Sequence, residues 1–240
     1  MEKEWIEVLE KVEAETKKIN EHGSDFIFFR GHSDSSWTLL PSLYRTVFTT
    51  AKIEQILYYD FVFHSTIIFQ KQLSSWEVLF EMRHSGIPTR LLDWTENFSV
   101  ALYFALKGDK PNPCVWMLDP YKLNKQSFSS ATIFNTLTDL EFDYFNGFIA
   151  ESVAPNKTPI AILPITQSVR VFAQKSVFTL HGTKRGAVEE LFPDCVTKIE
   201  IPAEAIPAAK SFLNLSGVNE FSLFPDTDGL GRYLVEKHCK

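Results

Sequence analysis

Apolar positions Trp5, Leu9, Val12 and Ile19 recur at helical spacing among Glu and Lys, which predicts an amphipathic helix resting one face on a core. The pattern breaks at 23–25, and the continuous aromatic run Phe-Ile-Phe-Phe at 26–29 has the length of a buried strand that ends in Arg30-Gly31. Residues 51–73 are rich in Ile, Leu, Phe and Tyr with few breakers. They predict one long helix or two helices buried on more than one side, with His64 as a core histidine. Ser74 followed by Glu77 has the form of a capping box and opens a helix over 75–85 that carries Arg83 and His84 in its last turn. Gly86 and Pro88 stop that helix. Thr95 or Asn97 then caps a strongly apolar helix over 98–106.

Beyond it, the runs 114–118, 160–163, 169–172 and 177–180 are strand-like, with Gln174 in a bend between the last two, and 198–201 alternates. Residues 202–210 suggest a helix start, and 221–230 a turn into a final short helix. The mixed signals of 121–156 assign no element. These elements predict an α+β fold: one domain with a mixed or mainly antiparallel sheet, built from the strands at Phe26, Val115, Ile160, Val169 and Val177 and flanked by helices from the N-terminal half.

Composition narrows the chemistry. A chain of 240 residues with 45% hydrophobic content can bury a large core. A formal net charge of -6 excludes an extensive nucleic-acid surface, which needs an excess of Lys and Arg. The three cysteines, Cys114, Cys195 and Cys239, match no metal-ligand spacing and fit a reducing compartment. With no apolar leader and no membrane-length apolar run, the expected location is cytoplasmic.

Against this acidic background, Arg30, His32, Arg45, His84 and Arg90 fall at ends of elements where side chains can converge. The helix start at Thr95 to Asn97 adds amides that favour an anion, so the parts of a phosphate site are present. The alternative is structural, with Arg90 and Asp93 as an ion pair and Arg30 packed along Trp37 or Trp94. His32, Asp34, His84 and Asp93 also offer metal-compatible side chains for a phosphodiester hydrolase, though no dense carboxylate cluster accompanies them. Trp37 and Trp94, beside polar turns, could serve a non-catalytic recognition module.

Phe28-Phe29-Arg30-Gly31-His32, residues 40–45 (Leu-Pro-Ser-Leu-Tyr-Arg) and residues 86–95 (Gly-Ile-Pro-Thr-Arg-Leu-Leu-Asp-Trp-Thr) together resemble the FRG domain family, named for its Phe/Tyr-Arg-Gly signature. Residues 174–180 and 223–226 also resemble family segments. The resemblance implies an N-terminal helix over 1–24, an FRG domain over 25–232 and a C-terminal tail over 233–240. Arg83-His84 stands where the family commonly has Gln-His. The family's occurrence in bacterial proteins and mobile elements implies a role in phage defence or toxin-like regulation.

A further resemblance is to arginine-first ADP-ribosyltransferases, in which a strand ends in an Arg on the dinucleotide phosphates. A later strand bears Ser or Thr before a helix, and a late strand supplies Glu or Gln near the nicotinamide ribose. Arg30, Thr95 and Gln174 occur in that order, with Glu189 or Glu190 as substitutes for the acidic residue that Gln174 lacks. The resemblance implies NAD as ligand, with no metal expected, and ADP-ribosyl transfer or NAD hydrolysis as the reaction. Arg30, His84, Asp93, Thr95 and Gln174 are the catalytic candidates. Gly31, His32, Tyr44, Arg45, Arg90, Trp94 and Asn97 are the ligand-binding candidates, with Trp94 or Tyr44 stacking on nicotinamide. The implied partner is a phosphate-bearing small molecule such as a dinucleotide, with the macromolecular acceptor left open and no membrane.

Overall fold

The computed structural model describes residues 2–21, 23, 26–45, 52–69, 71–108, 110–136, 138–139, 143–150, 156–164 and 168–239. The chain runs α1 (Glu2–Glu21), β1 (Phe28–His32), α2 (Ser42–Arg45), α3 (Ile53–Ser65), α4 (Ser75–His84), β2 (Leu91–Thr95), α5 (Phe98–Leu106), β3 (Cys114–Leu118), α6 (Pro120–Phe128) and β4 (Phe134–Asn135). It continues through a π-helical turn at Phe145–Ile149, then β5 (Ile160–Leu163), α7 (Val169–Ala173), β6 (Ser176–Leu180), α8 (Val188–Leu191), β7 (Val196–Glu200), α9 (Ile206–Leu215), α10 (Glu220–Leu223) and α11 (Thr227–His238). This is the α+β class that the patterning predicts.

The seven strands form one sheet in the order β4-β5-β6-β2-β1-β3-β7, antiparallel throughout except for the parallel β4–β5 pair. Cross-strand partners share a face, so the register sorts the side chains. Phe29, Asp93, Thr95 and Phe178 lie on one face. On the β2–β6–β5 half, that face packs Leu91, Ile160 and Phe178 against α3 and α4. On the β1–β3–β7 half, it packs Phe29, Val115 and Ile199 against α1, α5 and α9. The opposite face buries Phe28, Leu92, Trp94 and Trp116 with Leu39, Leu123 of α6 and Val188 of α8.

Several expectations are corrected. Residues 169–172 read as a strand because three of four are apolar, yet they form helix α7. Ser168 caps it by accepting from the Arg170 amide, and Val169 and Phe172 face solvent. The region 51–73 holds α3, which is open on one side, with Ile56, Tyr59 and Phe63 exposed; His64 is exposed as well. Ala51 and Gln70, and Ser24 and Asp25 of the predicted break, lie outside the described residues. Helices of the C-terminal half also cover the sheet, as α9 does. The residues expected as a tail fall largely within α11, whose first turn is capped by Asp226 accepting from the Gly229 amide at 2.7 Å.

The local chemistry around β2 follows the sequence closely. The Ser74–Glu77 capping box is reciprocal, with Ser74 Oγ accepting from the Glu77 amide and Glu77 accepting from the Ser74 amide at 2.7 Å. Gly86, at φ +80, closes α4, and the Ile87 amide returns to the Met82 carbonyl at 3.0 Å. The chain thus leaves α4 at a fixed angle and enters β2 with Asp93 pointing back at the last turn of the helix.

A candidate anion-binding cleft between diverging strands

β1 and β2 are five residues long, but they share only the bridged pair Phe29–Thr95. Beyond it the strands part, and the opening is a cleft of about 400 Å3. It is walled by α4 and Gly86 on one side and by Val100, Ala101 and Phe104 of α5 on the other. Trp37 and Arg45 stand at one end, and Arg170 and Gln174 of the α7 segment at the other. Gly31 lets α5 approach, because any side chain at that position would overlap the Ala101 carbonyl.

Asp93 lies at the centre. Arg83 grips it in a bidentate pair, with Nε 2.9 Å from both carboxylate oxygens and Nη2 bonded to Oδ2. Arg30 reaches across the gap, donating from Nη1 to the Asp93 carbonyl at 2.6 Å and standing 3.8 Å from Oδ2. Burial alone would raise the Asp93 carboxyl, but the two guanidiniums outweigh it and hold the pKa below its ordinary value. Asp93 pulls the Arg83 pKa up. Arg30 is lowered to about 10, chiefly by burial, with Arg83 and Arg45 adding to the shift against the pull of Asp93, and it stays charged.

Arg45 and Arg170 also line the cleft, and among the described residues no carboxylate pairs with either. Burial lowers both pKa values without neutralising an arginine. Among the described residues, four guanidiniums against one carboxylate give the lining a formal charge of +3 in a protein whose net charge is -6. His84 lines the same wall; burial and then Arg170 lower its pKa, so it is neutral at pH 7. In the sequence Arg83 is legible as a cation suited to a helix end and as the residue that stands where the FRG resemblance expects Gln. Arg170 sits in a strand-like run, and its sole signal is its position near a signature segment.

His32 accepts from Arg30 Nε at 3.0 Å, which requires a neutral ring protonated on Nδ1. Burial, then Arg30, pushes its pKa down to about 3, and burial with Arg90 does the same to the fully enclosed His181. The unfolded chain therefore binds protons that the folded one refuses. Stability is full above the ordinary histidine value of about 6.5 and falls as pH drops from there toward 3. Urea unfolding at pH 7, 6 and 5 is expected to show a progressive loss, reduced in His181→Gln.

Other expected site residues are placed elsewhere. Arg90 does not line the cleft. It is held in the interior by Glu54 (Nε–Oε1 2.6 Å), donates to the His181 carbonyl at 2.9 Å and to Tyr44 Oη at 3.2 Å, and lies 4.0 Å over the Phe148 ring. Tyr44 is committed to the same network through the Gly182 carbonyl. The expected ion pair of Arg90 with Asp93 is thus two separate pairs. The α5 start is not an open anion site, because Asn97 caps it, accepting from the Ser99 and Val100 amides at 2.8 and 3.4 Å. Thr95 spends its hydroxyl on the Gln174 carbonyl at 2.8 Å. Trp94 borders the cleft, but its ring alternates to the face opposite Asp93, where its buried indole donates to Thr179 at 3.1 Å. Gln174 lines the cleft, with its amide donating to the Leu223 carbonyl at 3.1 Å.

Trp37, 46% exposed and edge-on to His32 with ring centroids 6.0 Å apart, is the indole that opens onto the cleft. Glu189 accepts from the Leu39 amide, and neither Glu189 nor Glu190 lines the cleft. Among the described residues His32, Asp34, His84 and Asp93 form no metal-holding group, since Arg30 occupies His32 and two arginines saturate Asp93. No helix among them is long and apolar enough to cross a membrane.

Residues 25–113 match the family model described as the FRG domain. The match takes in Arg30, Arg45, Arg83, His84 and Asp93, while Arg170 and Gln174 are supplied from outside it. No curated protein and no solved structure matches the chain.

Proposed function

Starting from a chain that carries an FRG domain over residues 25–113, we propose that the cleft binds a phosphate-bearing nucleotide, with NAD as the ligand, and transfers or hydrolyses its ADP-ribosyl group. The observation that carries this reading is the excess of guanidinium in the lining: among the described residues Arg45 and Arg170 pair with no carboxylate, and Arg30 and Arg83 share one. Planar forks of this kind suit phosphate oxygens, and a pyrophosphate supplies two sets of them. A cleft of about 400 Å3 suits a ligand of that size. Trp37 takes the stacking role for an aromatic ring that a buried Trp94 cannot take.

The chemistry follows from the remaining groups. The glycosidic C–N bond of NAD breaks with its electron pair going to the nicotinamide nitrogen, and the ribose passes through an oxocarbenium-like state. Asp93, ionised at pH 7, is held by Arg83 and Arg30, and its role in this reading is to keep those two guanidiniums in the lining. Water or an acceptor nucleophile forms the new bond to the ribose carbon and gives up its proton, and we assign neutral His84 of the lining to take it. Consumption of NAD would suit a role in phage defence or toxin-like regulation.

Calorimetric titration with NAD tests the reading, run on the wild type, Arg45→Ala and Arg170→Ala, with released nicotinamide measured afterwards. Charge-assisted hydrogen bonds contribute about 1.5–3 kcal/mol, so each variant is expected to fold normally and bind about tenfold or more weakly. No heat with NAD, ADP or pyrophosphate would sink the phosphate site. Binding without nicotinamide release would keep the site and remove the turnover.

A further inference from the structure

Arg170 differs from the other arginines of the cleft in how it is held. Its backbone belongs to α7, a helix of five residues, and its Nη1 makes one long contact, 3.4 Å to the His84 carbonyl. Its guanidinium instead lies over the ring of Phe224, 4.6 Å from the centroid. Phe224 follows α10 and is itself caged. Lys107 and Arg232 stand 4.9 and 5.6 Å from the same ring. Both cations are anchored by Glu220, whose side chain is 4% exposed: Lys107 Nζ at 3.0 Å, Arg232 Nε at 2.6 Å, with Tyr103 Oη on the same carboxylate.

The ring is fixed from two further directions. Gly229 of α11 packs so closely on the Phe224 backbone that a methyl group there would lie 2.8 Å from the Phe224 Cβ. Phe104, which lines the cleft, meets Phe224 edge-on at 6.2 Å, and Val100 packs in the same small cluster. Glu220 balances one of its two cations, and Asp226 and Asp228 act on Arg232 as well. Asp93 and Asp226 offset the charge of Arg170 electrostatically, while the hydrogen bond from its Nη1 goes to the His84 carbonyl.

We infer that Phe224 is a positioning residue for ligand binding: its ring, caged by the Glu220–Lys107–Arg232 cluster, aims the Arg170 guanidinium into the cleft with its N–H groups free for a phosphate. The inference rests on the phosphate-site reading above and adds to it a second functional segment, residues 220–232, outside the family-matched region. The same segment holds Gln174 through the Leu223 carbonyl, so both α7-side contributions to the lining depend on it.

A double-mutant cycle on the full chain decides it, with ADP as the probe and calorimetry as the readout. Phe224→Met keeps apolar volume in an adaptable side chain but removes the aromatic face. It is expected to weaken ADP binding about threefold to tenfold, the range of a partly desolvated cation–π contact. In the Arg170→Ala background the same change is expected to have no effect on affinity. Phe224→Tyr, which keeps the ring, is expected to bind as the wild type and guards against a folding defect in the Met variant. Equal losses in both backgrounds would mean that Phe224 merely supports the fold, and wild-type affinity in Phe224→Met would remove its role altogether. A wild type that binds no ADP overturns the phosphate site and this inference together, whereas ADP binding indifferent to Phe224 overturns this inference alone.

Discussion

Replacing Gly31 with alanine is expected to destabilise the protein by at least about 4 kcal/mol, enough to abolish a folded product at 37 °C. The reason is backbone against backbone. A Cβ at this position would fall inside the Ala101 carbonyl oxygen and 2.5 Å from the Ala105 amide nitrogen, and neither atom can move without displacing α5 from the sheet. The glycine of the signature therefore does not bind ligand through any unusual torsion; it sets how close the apolar helix sits to β1. Thermal unfolding of Gly31→Ala beside Gly231→Ala supplies the contrast, because a methyl at Gly231 meets nothing within 4 Å and that variant is expected to melt as the wild type.

Glu54→Ala is expected to lose about 3–5 kcal/mol while leaving the cleft residues in place. Arg90 and Glu54 are 8% and 13% exposed, and burial of the guanidinium is tolerated because Glu54 neutralises it, outweighing a desolvation that works the other way. Truncation strands the charge among Phe148, Tyr44 and Tyr144. Urea unfolding measures the loss directly. The pair Glu54→Gln and Arg90→Met separates the terms: the amide still strands the cation, whereas Arg90→Met removes it and leaves Glu54 with Tyr144. A loss below about 1 kcal/mol in Glu54→Ala would show that Arg90 has another counter-charge.

Much of this fold is legible in residue order. The capping box at Ser74, the stop at Gly86, and the strands at 114–118, 160–163 and 177–180 each rest on local chemistry that tertiary packing does not overrule. Residues 169–172 mislead because a short apolar run does not declare its period; the deciding signal is the Ser168 cap, a single residue. At the site, two separate signature segments point to Arg30 and His32 and to His84 and Asp93. Sequence order cannot tell which of two adjacent residues on a strand turns to which face of the sheet. Asp93 and Trp94 differ by one position and therefore by a whole face of the sheet. Arg90 and Arg83 look alike in sequence, and only their partners, Glu54 at 36 residues' separation and Asp93 at 10, assign one to the interior and the other to the cleft.

The single Phe29–Thr95 bridge gives the sheet a seam. On one side β1, β3 and β7 form a leaf with α1, α5 and α9; on the other β2, β6, β5 and β4 form a leaf with α3 and α4. Arg30 belongs to the first leaf and Arg83 to the second, and Asp93 already acts as a rivet between them, its carbonyl accepting from Arg30 and its carboxylate held by Arg83. An anion gripped by both arginines would be a second rivet at the same seam, turning occupancy of the cleft into mechanical stiffness of the whole sheet.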